Sequence, residues 1–205
     1  IYSFRNDPKS IEGLTYAGFN ILSVANNHIF DYGREAMEDT FLRLKEVKID
    51  FVGGGFSEKE AYSGTIKEIK STKIAFLAYT NLGTEYWSAK GNQSGIAWLN
   101  EEVAEDIKMA KESADIVIVS MHFGEEYQQK PTPEQKYFAH LAIDSGADLV
   151  VGHHPHVIQE IEKYENGYIV YSLGNFIFDQ GFSKETMKGL LLKVIIENNR
   201  IKELV

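Results

Sequence analysis

With 205 residues, 43% of them apolar and 25% charged, the chain has the composition of an ordered globular domain large enough to bury a core, which excludes intrinsic disorder. It has no cysteine, so disulfides, thiolate metal sites and cysteine nucleophiles are excluded and any chemistry falls to His, Asp, Glu, Asn, Ser, Lys or Tyr. The net charge is −9, from 21 basic and 30 acidic residues, and the cations are scattered rather than striped, which argues against a nucleic-acid partner or a polybasic membrane surface.

Read in order, the chain alternates. A polar start carrying Pro8 and Ser10 leads to a helix over 11–17, stopped by Gly18, and then to an apolar strand over 20–25. Ala36, Met37, Phe41, Leu44 and Val47 recur at three and four, predicting a helix over 33–48, followed by a short strand that ends in a tight turn at Gly53, Gly54 and Gly55. Strands at 65–69 and 73–79 read as a hairpin, and 81–98 reads as a long irregular loop. A helix over 101–113 precedes a strand over 115–121 that ends at His122. A helix over 132–145 precedes a strand over 148–151 that ends at Gly152 and His153. The last third reads as a meander of strands at 157–164, 168–173, 189–197 and 200–204, with turns at Asn166-Gly167 and Asn198-Asn199. The pattern predicts a single α/β domain over 1–205, with two sheets packed face to face and helices outside. It starts partway through an alternation, as though the first strands of the sheet lay upstream. No apolar run spans a bilayer, and no signal peptide follows Ile1.

Five of the six histidines fall in three places: His28 after the first strand, His122 after a later one, and His153, His154 and His156 after the next. Ligands in open α/β sheets bind beyond the carboxyl ends of strands, so these loops are expected to converge on one site. Taken singly, a loop histidine is more often a polar surface residue or a cap; a convergent cluster points to a divalent metal such as zinc, manganese or iron. His154 and His156, two apart in a segment read as extended, are expected to point the same way and chelate, with His153 as an alternative. His140, alone inside a helix, reads as structural or solvent-facing.

In the loop 25–33 the Asn27 amide oxygen is a candidate ligand and His28 a candidate proton donor, while Asp31 either orients His28 or caps the next helix. Of the two carboxylates that follow His122, Glu126 is the candidate base or partner of a ligand, the alternative being a solvated pair with Glu125. No P-loop, Gly-x-Ser-x-Gly elbow or His-Glu-x-x-His helix occurs, and the Gly53–Gly55 triplet is too weak a signal for a phosphate cradle.

Four stretches, 23–33 (Ser-Val-Ala-Asn-Asn-His-Ile-Phe-Asp-Tyr-Gly), 121–127 (Met-His-Phe-Gly-Glu-Glu-Tyr), 152–156 (Gly-His-His-Pro-His) and 171–176 (Tyr-Ser-Leu-Gly-Asn-Phe), occur in an order that resembles the CapA family of capsule and poly-γ-glutamate biosynthesis proteins. That family is part of the calcineurin-like metallophosphoesterase superfamily. The resemblance implies a four-layer α/β/β/α sandwich with a two-metal site at the strand ends. It implies Asn27, His122 and the 152–156 histidines as ligands and His28 as the group that meets the scissile bond. The superfamily spacing is Gly-His-x-His where this chain has Gly-His-His-Pro-His. Its two acidic N-terminal motifs do not occur in this sequence, so a truncated domain lacking its first strands is expected.

The function expected from the resemblance is metal-dependent hydrolysis in the synthesis of a cell-envelope polymer, acting on a phosphoester or on an amide of an anionic polymer. The alternative is a non-catalytic surface subunit that binds the polymer and partners a membrane-bound capsule synthase. An extracytoplasmic, cell-surface setting is implied, with membrane anchorage through a segment outside this sequence.

Overall fold

The computed structural model describes residues 2–205. A 3-10 turn at Pro8–Ser10 leads into α1 (Ile11–Ala17), β1 (Ile21–Ser23), α2 (Gly33–Glu46), β2 (Asp50–Val52), β3 (Gly54–Gly55) and α3 (Glu58–Tyr62). Then come β4 (Thr65–Ile69), β5 (Thr72–Thr80), β6 (Gly95–Ile96), α4 (Val103–Ser113), β7 (Ile116–His122) and α5 (Pro133–Asp144). The chain ends with β8 (Leu149–His153), β9 (Ile161–Tyr164), β10 (Gly167–Val170), β11 (Val194–Glu197) and β12 (Arg200–Leu204). The fold is α/β. Two compact units are present: residues 2–65 with Leu77–Trp98, and Ile66–Phe76 with Leu99–Val205. No helix among the described residues is long and apolar enough to cross a membrane.

In the first unit, β1 and β2 pair in parallel, Ile21 opposite Asp50. The apolar stripe read on α2 is the face it buries: Met37, Phe41 and Leu44 close a core with Val24, Ile49 and Ile96. Gly18, at φ +80°, ends α1 as its position predicts. The glycine triplet is more than a turn. Gly53 sits at φ +83°, and a Cβ there would lie 2.6 Å from Ala25 Cβ, while one on Gly54 would lie 2.7 Å from Phe41 Cζ. Close backbone approach, not phosphate binding, demands these glycines. Gly54 and Gly55 pair with Ile96 and Gly95, so the segment 81–98, read as irregular, contains β6 and a 3-10 turn at Glu85–Trp87.

The second unit is organised by a six-stranded sheet of order β4-β5-β7-β8-β10-β9, with β5 leaving this unit partway along. Strands β7, β8 and β10 run parallel. Strand β7 is apolar on both faces, and Ile116, Val117, Val119 and Met121 are all buried, as a central parallel strand requires. Helix α5 starts with Pro133 in its first turn and a reciprocal cap, in which Thr132 accepts from the Gln135 backbone and Gln135 accepts from that of Thr132.

The end of the chain departs from the expected meander. Strand β10, not β9, lies against β8, and β9 folds back antiparallel at the edge. Its turn is Glu165-Asn166, one residue earlier than read, with Glu165 at φ +45°. Gly167 lies in the ladder instead, opposite Tyr164, where a Cβ would lie 2.5 Å from Ile143 Cδ1. Strands β11 and β12 form a separate hairpin whose turn, Asn198-Asn199, has φ of +52° and +57°, the two left-handed residues that this pair predicts.

Candidate metal centre

Strands β7 and β8 run parallel and in register to their last residues, where His122 pairs with His153. The two loops that follow stay together: Phe123 N–H donates to His153 O (3.2 Å) and Tyr127 N–H to Pro155 O (2.8 Å). The first loop is pinned from below by buried amides. Gln135 Nε2 donates to Gln159 Oε1 at 2.9 Å, and Gln159 Nε2 donates to Gln128 O at 2.9 Å. Gly124 sits at φ +91°, where a Cβ would lie 2.3 Å from the Gln135 amide. Isolated glutamines carry no sequence motif, so neither was legible in advance.

The result is a cluster. Ligand atoms of Glu126, His154 and His156 all lie within 4.8 Å of one another. The His122 ring is 5.0 Å from that of His154, which is 5.9 Å from that of His156. His154 and His156 do not meet by strand alternation, as expected from their spacing. The chain has left β8, and both residues bend back in the left-handed region, at φ +97° and +60°, as does Tyr127 at +65°. Each such non-glycine residue costs on the order of 1 kcal/mol or more, so surrounding contacts must hold it, and strain of this kind concentrates at functional sites. His156 stacks on the Phe178 ring (5.2 Å, 15°) and on the Tyr127 ring (6.0 Å, 27°), and its Nδ1 is 2.8 Å from Asn175 Oδ1.

His153 is not one of the three converging residues. It closes β8, and burial lowers its pKa to about 4, leaving a neutral ring at physiological pH. The donor set itself fits a divalent cation. Donors sharing one ion at about 2 Å lie roughly 3–4 Å apart, so small side-chain rotations bring Glu126, His154 and His156 into range. Two imidazoles and a carboxylate suit zinc, manganese or iron rather than calcium or magnesium.

In the first unit the loop after β1 makes a compact polar arrangement of its own. His28 Nδ1 is 2.9 Å from Asp31 Oδ2, which also accepts from Phe4 N–H at 2.7 Å. The His28 N–H donates to Asn26 Oδ1 (2.8 Å), Asn27 Nδ2 donates to His28 Nε2 (3.3 Å), and the Phe4 ring stands edge-on to the imidazole at 4.5 Å. Helix α2 has no side-chain cap, so the Asp31 carboxylate orients His28 rather than capping the helix. Phe4 carries no signal of this contact in the sequence.

His140, in the second unit, is not one of the three converging residues. It stacks on Tyr164 at 3.9 Å and contacts Glu162 at 3.2 Å, while Tyr171 Oη donates to Glu162 Oε2 at 2.7 Å. Burial and the neighbouring Glu162 carboxylate raise the Tyr171 phenol above its ordinary range.

Residues 1–180 match the model of a family described as bacterial capsule synthesis protein PGA_cap. The chain belongs to this family. It is 37% identical over 196 residues to the capsule biosynthesis protein CapA of Bacillus anthracis, covering 93% of this chain and 47% of that protein. It is 36% identical over 197 residues to the PGA biosynthesis protein CapA of Bacillus subtilis strain 168, covering 95% and 52%. The chain thus spans about half the length of the curated relatives it matches. Among solved structures, a hypothetical protein from Thermus thermophilus aligns with a TM-score of 0.62 at 15% identity, over 97% of this chain and 79% of that one. A putative 5′-nucleotidase from Staphylococcus aureus, solved with alpha-ketoglutarate, aligns at 0.53 and 16%, over 83% and 38%. These likenesses show that the chain shares the α/β fold of these proteins.

Proposed function

We propose that the chain is the metal-dependent hydrolase part of a protein that makes poly-γ-glutamate or a related capsule polymer, working at the outer face of the cell envelope beside a membrane-bound synthase. The observation that carries this reading is the convergence of Glu126, His154 and His156 in a member of the capsule synthesis family. In this reading those three residues and His122 hold a divalent cation. The cation, when bound, supplies Lewis acidity at a phosphoester or amide and lowers the pKa of water.

The remaining chemistry belongs to side chains. In the first unit Asp31 fixes the His28 ring through Nδ1, which makes Nε2 the ring nitrogen for proton exchange. The Tyr127 and Phe178 rings stack on His156 and limit its rotation. With a net charge of −9, the chain attracts an anionic polymer only where a bound cation reverses the local sign.

Phosphomonoester, phosphodiester and poly-γ-glutamate hydrolysis by the chain loaded with zinc, manganese or iron tests the proposal. Turnover of one substrate class is expected, abolished by His154→Ala and reduced about 100-fold or more by His28→Ala. Stoichiometric cation binding with no hydrolysis of any of the three would overturn the hydrolase reading and leave a polymer-binding subunit.

A further inference from the structure

The stretch 171–176, one of the four that carry the family resemblance, supplies no metal donor and no proton-transfer group, yet Asn175 within it touches His156. The orientation of its amide is decided by a backbone atom. Asn175 Nδ2 lies 2.9 Å from Thr186 O and 3.2 Å from Gln180 Oε1. A peptide carbonyl can only accept, so the nitrogen of the amide must face Thr186, and the oxygen must face His156. An amide oxygen also can only accept. The 2.8 Å contact therefore requires a proton on His156 Nδ1, and the lone pair of the neutral ring lies on Nε2.

Thr186 is itself immobilised. It is 1% exposed; its hydroxyl donates to Gln180 O at 2.6 Å, and its N–H donates to Ser183 Oγ at 3.1 Å. Gln180 Nε2 reaches back to the Tyr127 hydroxyl at 3.3 Å, and the Phe182 ring meets that of Tyr127 edge-on at 5.1 Å. Residues 175–186 thus form a strap tied to itself and to the loop after β7, with Asn175 aimed at one candidate ligand. Gly174 gives it that aim, at φ +69°, where a Cβ would lie 2.6 Å from Lys188 O.

We infer that Asn175 is a positioning residue that holds His156 as its Nδ1–H tautomer and presents Nε2 to the cation, with the 180–186 loop as the anchor that keeps the amide from turning over. The inference rests on the metal-site reading above for its consequence, though not for the tautomer itself. Partners of this kind, behind a ligating imidazole, typically change metal affinity 10- to 100-fold.

The test combines nitrogen-15 NMR of the His156 ring in the cation-free chain with calorimetric titration of cobalt(II) and manganese(II). The wild-type ring is expected to be protonated at Nδ1. Asn175→Ala should give a tautomer mixture and bind cobalt 10- to 100-fold more weakly. Asn175→Asp, which keeps the acceptor but cannot donate to Thr186 O or Gln180 Oε1, should retain the Nδ1–H form while losing the anchor. A wild-type ring protonated at Nε2 would overturn the inference whether or not any variant folds, as would an Asn175→Ala chain with unchanged tautomer and affinity. If the wild type binds no cation, the metal-site reading fails by itself, and the tautomer measurement still decides the role of Asn175.

Discussion

Gly152→Ala offers a direct check on how the strand ends are built. Gly152 is the next-to-last residue of β8, beside β10 on one side and one residue before His153. A Cβ there would lie 1.9 Å from Tyr171 O and 2.9 Å from Phe123 Cε1, against the 3.4 Å at which ordinary contact begins. The carbonyl of Tyr171 would have to retreat about 1.5 Å, and it belongs to a buried main chain that cannot rotate away. Overpacking of this kind costs about 1–3 kcal/mol, and backbone as the obstacle places it at the upper end. For a chain of this size each kcal/mol moves the midpoint by about 2–4 °C, so a fall of about 6–12 °C is expected. Differential scanning calorimetry of the cation-free chain measures it. The same shift would displace His154 and weaken cobalt binding. A midpoint within about 2 °C of wild type would refute the packing argument.

Asn199→Ala removes a left-handed turn residue whose side chain accepts from Thr72 Oγ1 (2.8 Å) and donates to Asp115 Oδ1 (3.1 Å), so a loss of about 2 kcal/mol in urea unfolding is expected. Asn199→Gly, which relieves only the backbone, should lose less than the alanine variant. For Glu162, burial acts to raise the carboxyl pKa, yet hydrogen bonds from Tyr171 and His140 and the charges of His140 and Lys136 outweigh it and hold the pKa below its ordinary value of 4.5. A carboxyl with a lowered folded pKa contributes stability above the unfolded pKa and loses it as pH falls through the folded one. Glu162→Gln should therefore cost about 1 kcal/mol at pH 7, a modest figure given the 30% exposure of the side chain, and less at pH 3 than at pH 7. Melting curves at the two pH values check the sign.

Much of the fold was legible because each signal had a local cause. The stripe on α2, the stop at Gly18, the apolar runs of β7 and β8 and the Asn198-Asn199 turn are each fixed by neighbouring residues. What failed depended on distant partners. The turn before β10 falls one residue earlier than read, with Gly167 packed where Ile143 leaves room for no side chain, and β10 took the place beside β8 that sequence order gives to β9.

The candidate site divides in the same way. Histidines at strand ends were visible, and so was the tie between Asp31 and His28 as one of two roles for that carboxylate. The pairing of His154 with His156 was read from an extended geometry that the chain does not adopt, because positive φ at both residues depends on the loops around them. The roles of Gln135, Gln159, Phe4 and Asn175 were hidden, since an amide or a ring acquires a role only when the fold brings a partner to it.

Glu126, His154 and His156 are proposed to hold one divalent cation. Elemental analysis of the dialysed chain, followed by cobalt titration of the wild type, Glu126→Ala, His154→Ala, His156→Ala and His140→Ala, tests it most directly. The expected result is one zinc, manganese or iron per chain, roughly 100-fold or more weaker cobalt binding in either of the two site-histidine variants, a clear loss in Glu126→Ala, and wild-type binding in His140→Ala. A wild-type chain that neither retains these metals nor binds cobalt, or a His154→Ala chain that binds it as tightly as wild type, would contradict the account.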